Sequence, residues 1–298
     1  MPHHSNLAHT PFDGSEPLFK IGLRPFDPSI WFEPDHCLAD HLNIKRKLIS
    51  EIPDEVFLAE KDTLASQVEV FDLIIAQLSE YHADTHIVGE GDVTIKNTEH
   101  RIEISQSDPT PLLTASSMLQ EDLVLMRKSD AGWRLVAGSV CFPSSWSLKQ
   151  KIGKPLHAVH EPVPAFSEGT RNASMIERIF DNLQVDLPAE RFNWSVYGDD
   201  QLFHDDRSAD RFEAGANHFL RVERQTLTKL PVSGDILFTI RIHIDPFEAL
   251  LKREDRASIA AGFIDLLKKM TPAQLQYKGL DAGREILITK LQAVVDGA

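Results

Sequence analysis

The sequence predicts an α+β fold, with one antiparallel sheet of five strands and helices before and after it. Three observations carry that expectation. Apolar, β-branched runs at Leu123 to Met126 and Trp133 to Phe142 are separated by Lys128-Ser-Asp-Ala-Gly132, a hairpin signal. Leu220 to Asp245 reads as a second hairpin, turning at Pro231 and Ser233-Gly234, and Phe192 to Tyr197 supplies one further strand. On either side apolar residues recur at helical spacing, at Leu64, Val68, Phe71, Ile75 and Leu78 upstream and at Ile259, Phe263, Leu266 and Leu267 downstream.

In chain order, residues 1–20 read as a flexible arm. Met1 to Glu16 is polar with no apolar period, and its His3, His4 and His9 support an N-terminal metal site less well than a mobile terminus. Residues 21–118 form an N-terminal helical extension. Lys20 to Phe32 is extended and pinned by Phe26, Trp31 and Phe32; a helix over Asp35 to Ile52 stops before Pro53, and a second runs to Tyr81. Val93 to Glu103 alternates loosely as a small hairpin, and Pro111 to Leu119 makes a short helix. Residues 119–246 carry the sheet, with helical segments at Trp146 to Ile152 and Ala165 to Leu183 between its second and third strands. Residues 247–298 are a C-terminal helical extension of three amphipathic segments, Asp255 to Met270, Thr271 to Leu280 and Gly283 to Val295. Two strands, a block of helices, then three strands is the order of a PAS-type domain, whose sheet and intervening helices enclose a small-molecule or haem cavity.

Composition excludes several classes of function. A chain of 298 residues with 42% hydrophobic content can bury one large core or two moderate ones. Its 31 basic and 45 acidic residues leave a net charge of −14, which repels nucleic acid and anionic lipid. No run approaches the roughly 20 apolar residues of a membrane span, and no leader-like apolar stretch opens the chain, so a cytoplasmic location is expected. Cys37 and Cys141, the only two cysteines, cannot build a disulfide framework, a Cys-rich zinc site or a four-thiolate cluster. With no glycine-rich dinucleotide fingerprint and no P-loop, any redox chemistry here needs electrons from elsewhere.

Two stretches are expected to form two walls of one pocket: Trp133 to Pro164 and the Leu220 to Asp245 hairpin. In the first, the apolar strand breaks at Pro143 and delivers His157 and His160 just before Pro162-Val-Pro164. The two prolines restrain the backbone beside His160, which suits a ligand or a catalytic base, although a histidine packed on Pro162 is the bland alternative. In the second, alternation puts Leu220, Val222, Arg224 and Thr226 on one face and Arg221, Glu223, Gln225 and Leu227 on the other. Arg224 is either a fixed cation in the pocket or one half of a structural ion pair. The group Asp199, Asp200, His204, Asp205 and Asp206 has hard-metal ligand types, but its spacing fits a solvated acidic loop better.

The strings CFPSSWSLKQKIGKPLHAVHEPVP, RFNWSV, LRVERQTLTKLPVSGDILFTIR and QYKGL, with IGLRPFDPSIWFEPD near the start, occur together and in order. Over Gly22 to about Leu287 the chain resembles the alpha subunit of haem-dependent oxidative N-demethylase and its dimethylamine monooxygenase relatives. The resemblance implies a PAS-like haem-binding fold (haem b) that oxidises a small secondary amine with O2. It also implies reductase subunits carrying FMN and an iron–sulfur cluster, with the methyl carbon leaving as formaldehyde or passing to a one-carbon carrier. It makes His160, in a His-x-Pro-Val-Pro pattern, the proximal iron ligand, with His157 as the fallback. Arg224 becomes a distal donor to iron-bound oxygen, with Tyr197 and Gln225 as further distal or substrate contacts. Lys149, Lys151 and Arg171 are candidate partners of the haem propionates. A PAS-like haem or small-molecule sensor without turnover is the alternative; the lack of an attached output domain disfavours it.

Overall fold

The computed structural model describes residues 7–205, 211–212 and 217–297; His3, His4 and Asp206 lie outside the described residues. The strands are β1 (Arg24–Pro25), β2 (Phe57–Ala59), β3 (His86–Val88), β4 (Asp92–Ile95), β5 (Arg101–Glu103), β6 (Asp122–Ser129), β7 (Gly132–Ser139), β8 (Ala189–Tyr197), β9 (Phe219–Lys229) and β10 (Ile236–Pro246). The helices are α1 (Leu38–Glu51), α2 (Pro53–Val56), α3 (Leu64–Tyr81), α4 (Pro111–Ser116), α5 (Leu148–Lys151), α6 (Leu156–Val159), α7 (Arg171–Asn182), α8 (Arg256–Lys269), α9 (Pro272–Lys278) and α10 (Arg284–Asp296). None of the described helices is long and apolar enough to cross a membrane.

The large sheet has seven strands in the order β1-β8-β9-β10-β6-β7-β2, and every pairing is antiparallel. The five expected strands are its central five. The two additions are edge strands of two and three residues, Arg24 and Pro25 pairing with Glu190 and Ala189, and Phe57 to Ala59 with Ser139 to Ala137. Such short pieces carry no side-chain period, which is why the expected count of five falls short. The small hairpin near Val93 is part of a separate three-stranded sheet, β3-β4-β5.

Both faces of the large sheet are covered. On one, the run between β7 and β8 folds back as α5, α6 and α7. Gly138 permits this close approach, since a Cβ there would stand 2.9 Å from Leu148 Cδ1 on α5. Helix α7 is shorter than the expected Ala165 to Leu183 because Thr170 caps its N-terminus, its hydroxyl accepting from the Ala173 amide. The other face is packed by two groups. Trp31, Phe32, α3 and α4 build one core with Leu123, Leu125 and Leu237. Helices α8 and α10 build another with Trp194, Leu220 and Val222.

The expected flexible arm departs most from the structure. From Leu7 onward it is docked: Leu7 and Phe12 are buried, and the Phe12 ring packs 4.9 Å from Phe263 and 6.3 Å from Trp194. Two large apolar residues in a polar stretch give no periodic signal, yet each is enough to fasten a chain to a core.

Candidate functional site

Alternation along the central strands turns one set of side chains toward the α5–α7 roof. Pairing aligns Arg191 with Gln225, Asn193 with Glu223, Leu227 with Phe238, Phe238 with Val124, and Met126 with Leu135, so these residues form one continuous floor. Between floor and roof lies a cavity of about 490 Å³, within the roughly 300–1,000 Å³ typical of ligand pockets. The expectation that the Trp133 to Pro164 stretch and the Leu220 to Asp245 hairpin wall one pocket therefore matches the geometry.

One end of the cavity is apolar. Val124, Met126, Leu135, Leu227 and Phe238 face Trp146, Leu156, Val163, Phe166, Ile176, Ile179 and Phe180, with His160 among them. His160 follows the single turn of α6, and its Nδ1 lies 2.9 Å from the Leu156 carbonyl oxygen. A carbonyl only accepts, so Nδ1 carries the proton and Nε2 keeps its lone pair. Burial, with help from Lys151 and Arg191, pushes the His160 pKa down to about 4, so the ring is neutral at physiological pH. A neutral, tautomer-fixed imidazole in an apolar slot is a prepared metal ligand.

The other end is polar. Arg191 Nη1 donates to Gln225 Oε1 at 3.1 Å, and Gln225 Nε2 donates to Glu223 Oε2 at 2.7 Å. Arg191 Nε and Ser195 Oγ are buried with no hydrogen-bond partner among the described residues. Burial lowers the Arg191 pKa, opposed by Glu223 and Tyr277. Lys278 is 4% exposed and donates to Asn193 Oδ1 at 2.8 Å and to the Trp194 carbonyl. Its ammonium also lies 4.6 Å from the Trp194 ring centre. Burial brings the Lys278 pKa down to about 7; Glu223 opposes the shift, and Arg191 and Arg211 reinforce it. Gly279, in the left-handed region at φ 67°, ends α9 directly after Lys278 and fixes where that side chain starts.

Among the sequence candidates, His160, Lys151 and Gln225 line the cavity, whereas His157, Lys149, Arg171, Tyr197 and Arg224 do not. Lys149 is exposed and pairs with Glu55 at 2.7 Å, and Arg171 is exposed at the start of α7. The Tyr197 hydroxyl shares a hydrogen bond with Ser145 Oγ at 2.8 Å, and its ring packs against His204 at 4.6 Å, so it serves packing beyond the cavity. Arg224 requires a correction. It points to the opposite face, where Nε donates to Glu190 Oε2 at 2.7 Å and Nη1 to the Trp31 carbonyl at 2.7 Å. The alternation was read correctly, but the cavity lies on the face of Glu223 and Gln225. In the acidic loop, His204 Nε2 meets Asp199 Oδ1 at 3.2 Å, a local contact.

Arg191, Glu223 and Lys278 were not singled out in the sequence, although each sits inside a string that carries the family resemblance. A model of the haem-dependent oxidative N-demethylase, alpha subunit-like family matches residues 22–288. The chain belongs to that family. Haem-dependent oxidative N-demethylase chemistry is thus the family's description, and an alpha subunit implies further subunits. The cavity fits a haem by the chemistry of its donors. An apolar slot suits the macrocycle, His160 offers an oriented Nε2 lone pair, and Lys151, whose Nζ donates to the Val159 carbonyl at 2.9 Å, brings a cation to the same cavity.

Proposed function

We propose that this chain is the haem-bearing oxygenase subunit of an oxidative N-demethylase acting on a small secondary amine such as dimethylamine, with electrons from partner subunits that carry FMN and an iron–sulfur cluster. The observation that carries the proposal is His160, a half-buried neutral imidazole whose Nδ1 proton is committed to the Leu156 carbonyl and whose Nε2 is left for iron. The two-strand, helix-block, three-strand order, with β7-β6-β10-β9-β8 side by side, supports the PAS-like description of the core.

Haem, when bound, supplies the activation of O2 that oxidises a methyl group next to nitrogen. The chain's own residues do the rest. His160 would hold the haem iron through Nε2, and Lys151, the one sequence-expected propionate partner that lines the cavity, would offer its ammonium to a propionate. A secondary amine is protonated at neutral pH, and Glu223 is the carboxylate on the cavity floor that can accept its N–H. Gln225 holds Glu223 by donating to Oε2, and Arg191 holds Gln225 in turn, so the carboxylate is positioned before substrate arrives. Lys278, with its pKa near 7, can hold or release a proton at Nζ in the same polar end. The apolar roof of α6 and α7 excludes water.

The deciding experiment is His160→Ala. The purified variant should lose the Soret band with its far-UV circular dichroism intact. A Soret band retained in His160→Ala and lost in His157→Ala would overturn the assignment.

A further inference from the structure

On the Arg224 face of the sheet, beside the stretch where His9 and Phe192 line the edge of the cavity, three separate segments of the chain bring one side chain each to a single point. His9 Nε2 lies 3.0 Å and His243 Nε2 lies 2.9 Å from the same oxygen, Oε2 of Glu33. The ligand-type atoms of all three residues fall within 4.8 Å of one another. The imidazole rings are 5.0 Å apart at 73°, so their edges converge and their faces do not stack. Two imidazoles and one carboxylate are the donor set of many zinc and non-haem ferrous sites. With metal–ligand bonds of about 2.0–2.2 Å, neighbouring donor atoms stand roughly 3 Å apart.

The geometry points to a binding site for a first-row divalent transition-metal ion, formed by His9, Glu33 and His243, that ties the N-terminal arm to the sheet. The charges around it leave the required oxygen available. Arg224 Nε approaches the other carboxylate oxygen, Oε1, at 3.6 Å, and its hydrogen bonds go to Glu190 and the Trp31 carbonyl. Arg241 Nε donates to the Glu33 carbonyl at 3.3 Å, and its Nη2 donates to Asp35 at 2.7 Å. The His9 and Glu33 side chains keep 25% and 23% exposure, which gives an ion a way in and lets water complete its coordination. The His9 ring rests 4.6 Å from Phe192, an apolar backing for one side of the site.

His9 itself, residues 10 and 11 and most of residues 13–24 line the large cavity. An ion that binds only the docked arm must stabilise the docked arm. Metal occupancy and docking of the arm that lines the cavity are therefore linked through His9.

The test uses the full-length protein without an affinity tag, freed of loosely held metal by dialysis against chelator and titrated with Zn2+ alone. One zinc per chain should survive gel filtration, and the melting temperature should rise with Zn2+. His9→Asn and Glu33→Gln, checked by circular dichroism, should each weaken Zn2+ binding at least about tenfold and abolish the thermal shift. The pair His3→Ala/His4→Ala should leave both unchanged. His9→Asn decides the matter, because His9 lies on the arm and not within the sheet. No zinc retained by the parent protein, binding unaltered in His9→Asn and Glu33→Gln, or binding lost in the His3/His4 pair would each overturn the site.

Discussion

The two faces of the large sheet bury similar side chains for different ends. On the cavity face, Arg191 donates to Gln225 and Gln225 to Glu223, Lys278 donates to Asn193 and the Trp194 carbonyl, and Arg191 Nε and Ser195 Oγ lack partners among the described residues. On the opposite face, Arg224 and Arg241 stand directly across from each other on β9 and β10 and each is held by a carboxylate and a backbone carbonyl, Glu190 with Trp31 and Asp35 with Glu33, although Arg224 Nη2 has no partner among the described residues. A buried charge with its partners in place stiffens the fold. A buried charge facing a cavity is poised for a ligand.

Removing one partner on each face should separate these roles. Arg224→Ala leaves Glu190 buried with only the exposed Arg24 as a partner, and breaking a buried pair in this way costs about 3–5 kcal/mol. Chemical denaturation should show a loss of that order, with turnover per bound haem unchanged. Turnover lost at full stability would instead return Arg224 to the active site.

Glu223→Gln keeps the shape of the cavity floor and removes its negative charge. A hydrogen bond to a charged group is worth about 1.5–3 kcal/mol, so kcat/KM for a secondary amine should fall roughly 10–100-fold at normal haem content and melting temperature. An unaltered kcat/KM would place amine recognition elsewhere in the cavity.

The smallest effect expected is a pH dependence. Burial and the nearby Asp35 raise the Asp245 pKa from 3.8 to about 6, against the pull of His36 and Arg241. Between those values the folded chain keeps a proton that the unfolded chain has lost. This contribution to stability is complete below the unfolded value and is lost as pH rises through about 6. Denaturation midpoints across that window should fall less steeply with pH in Asp245→Asn than in the parent. Identical slopes would mean that Asp245 does not titrate there.

The outcome at Arg224 shows how far the sequence reaches. Strand alternation correctly divided Arg224 from Gln225, and the His-Glu-Pro-Val-Pro string drew attention to His160, which lines the cavity. Choosing between the two faces of β9 needed more, because both are apolar enough to be buried and both carry arginine. The Lys149 and Arg171 candidates failed for a related reason. A short helix shows its period, but not which lysine or arginine turns toward solvent.

Local chemistry therefore determined, without any structure, the five central strands, the helical stripes of α3, α7 and α8, and a proline-restrained histidine at the end of a helical turn. Those features depend on neighbours within a few residues, where backbone period and proline geometry act. Tertiary structure alone decided that the α5–α7 roof closes over the Gln225 face. It brought Lys278 from the C-terminal extension to the same cavity as Arg191, and the arm to the sheet through Phe12 and His9. Those choices depend on which buried surfaces find each other across the chain, and no local pattern encodes that pairing.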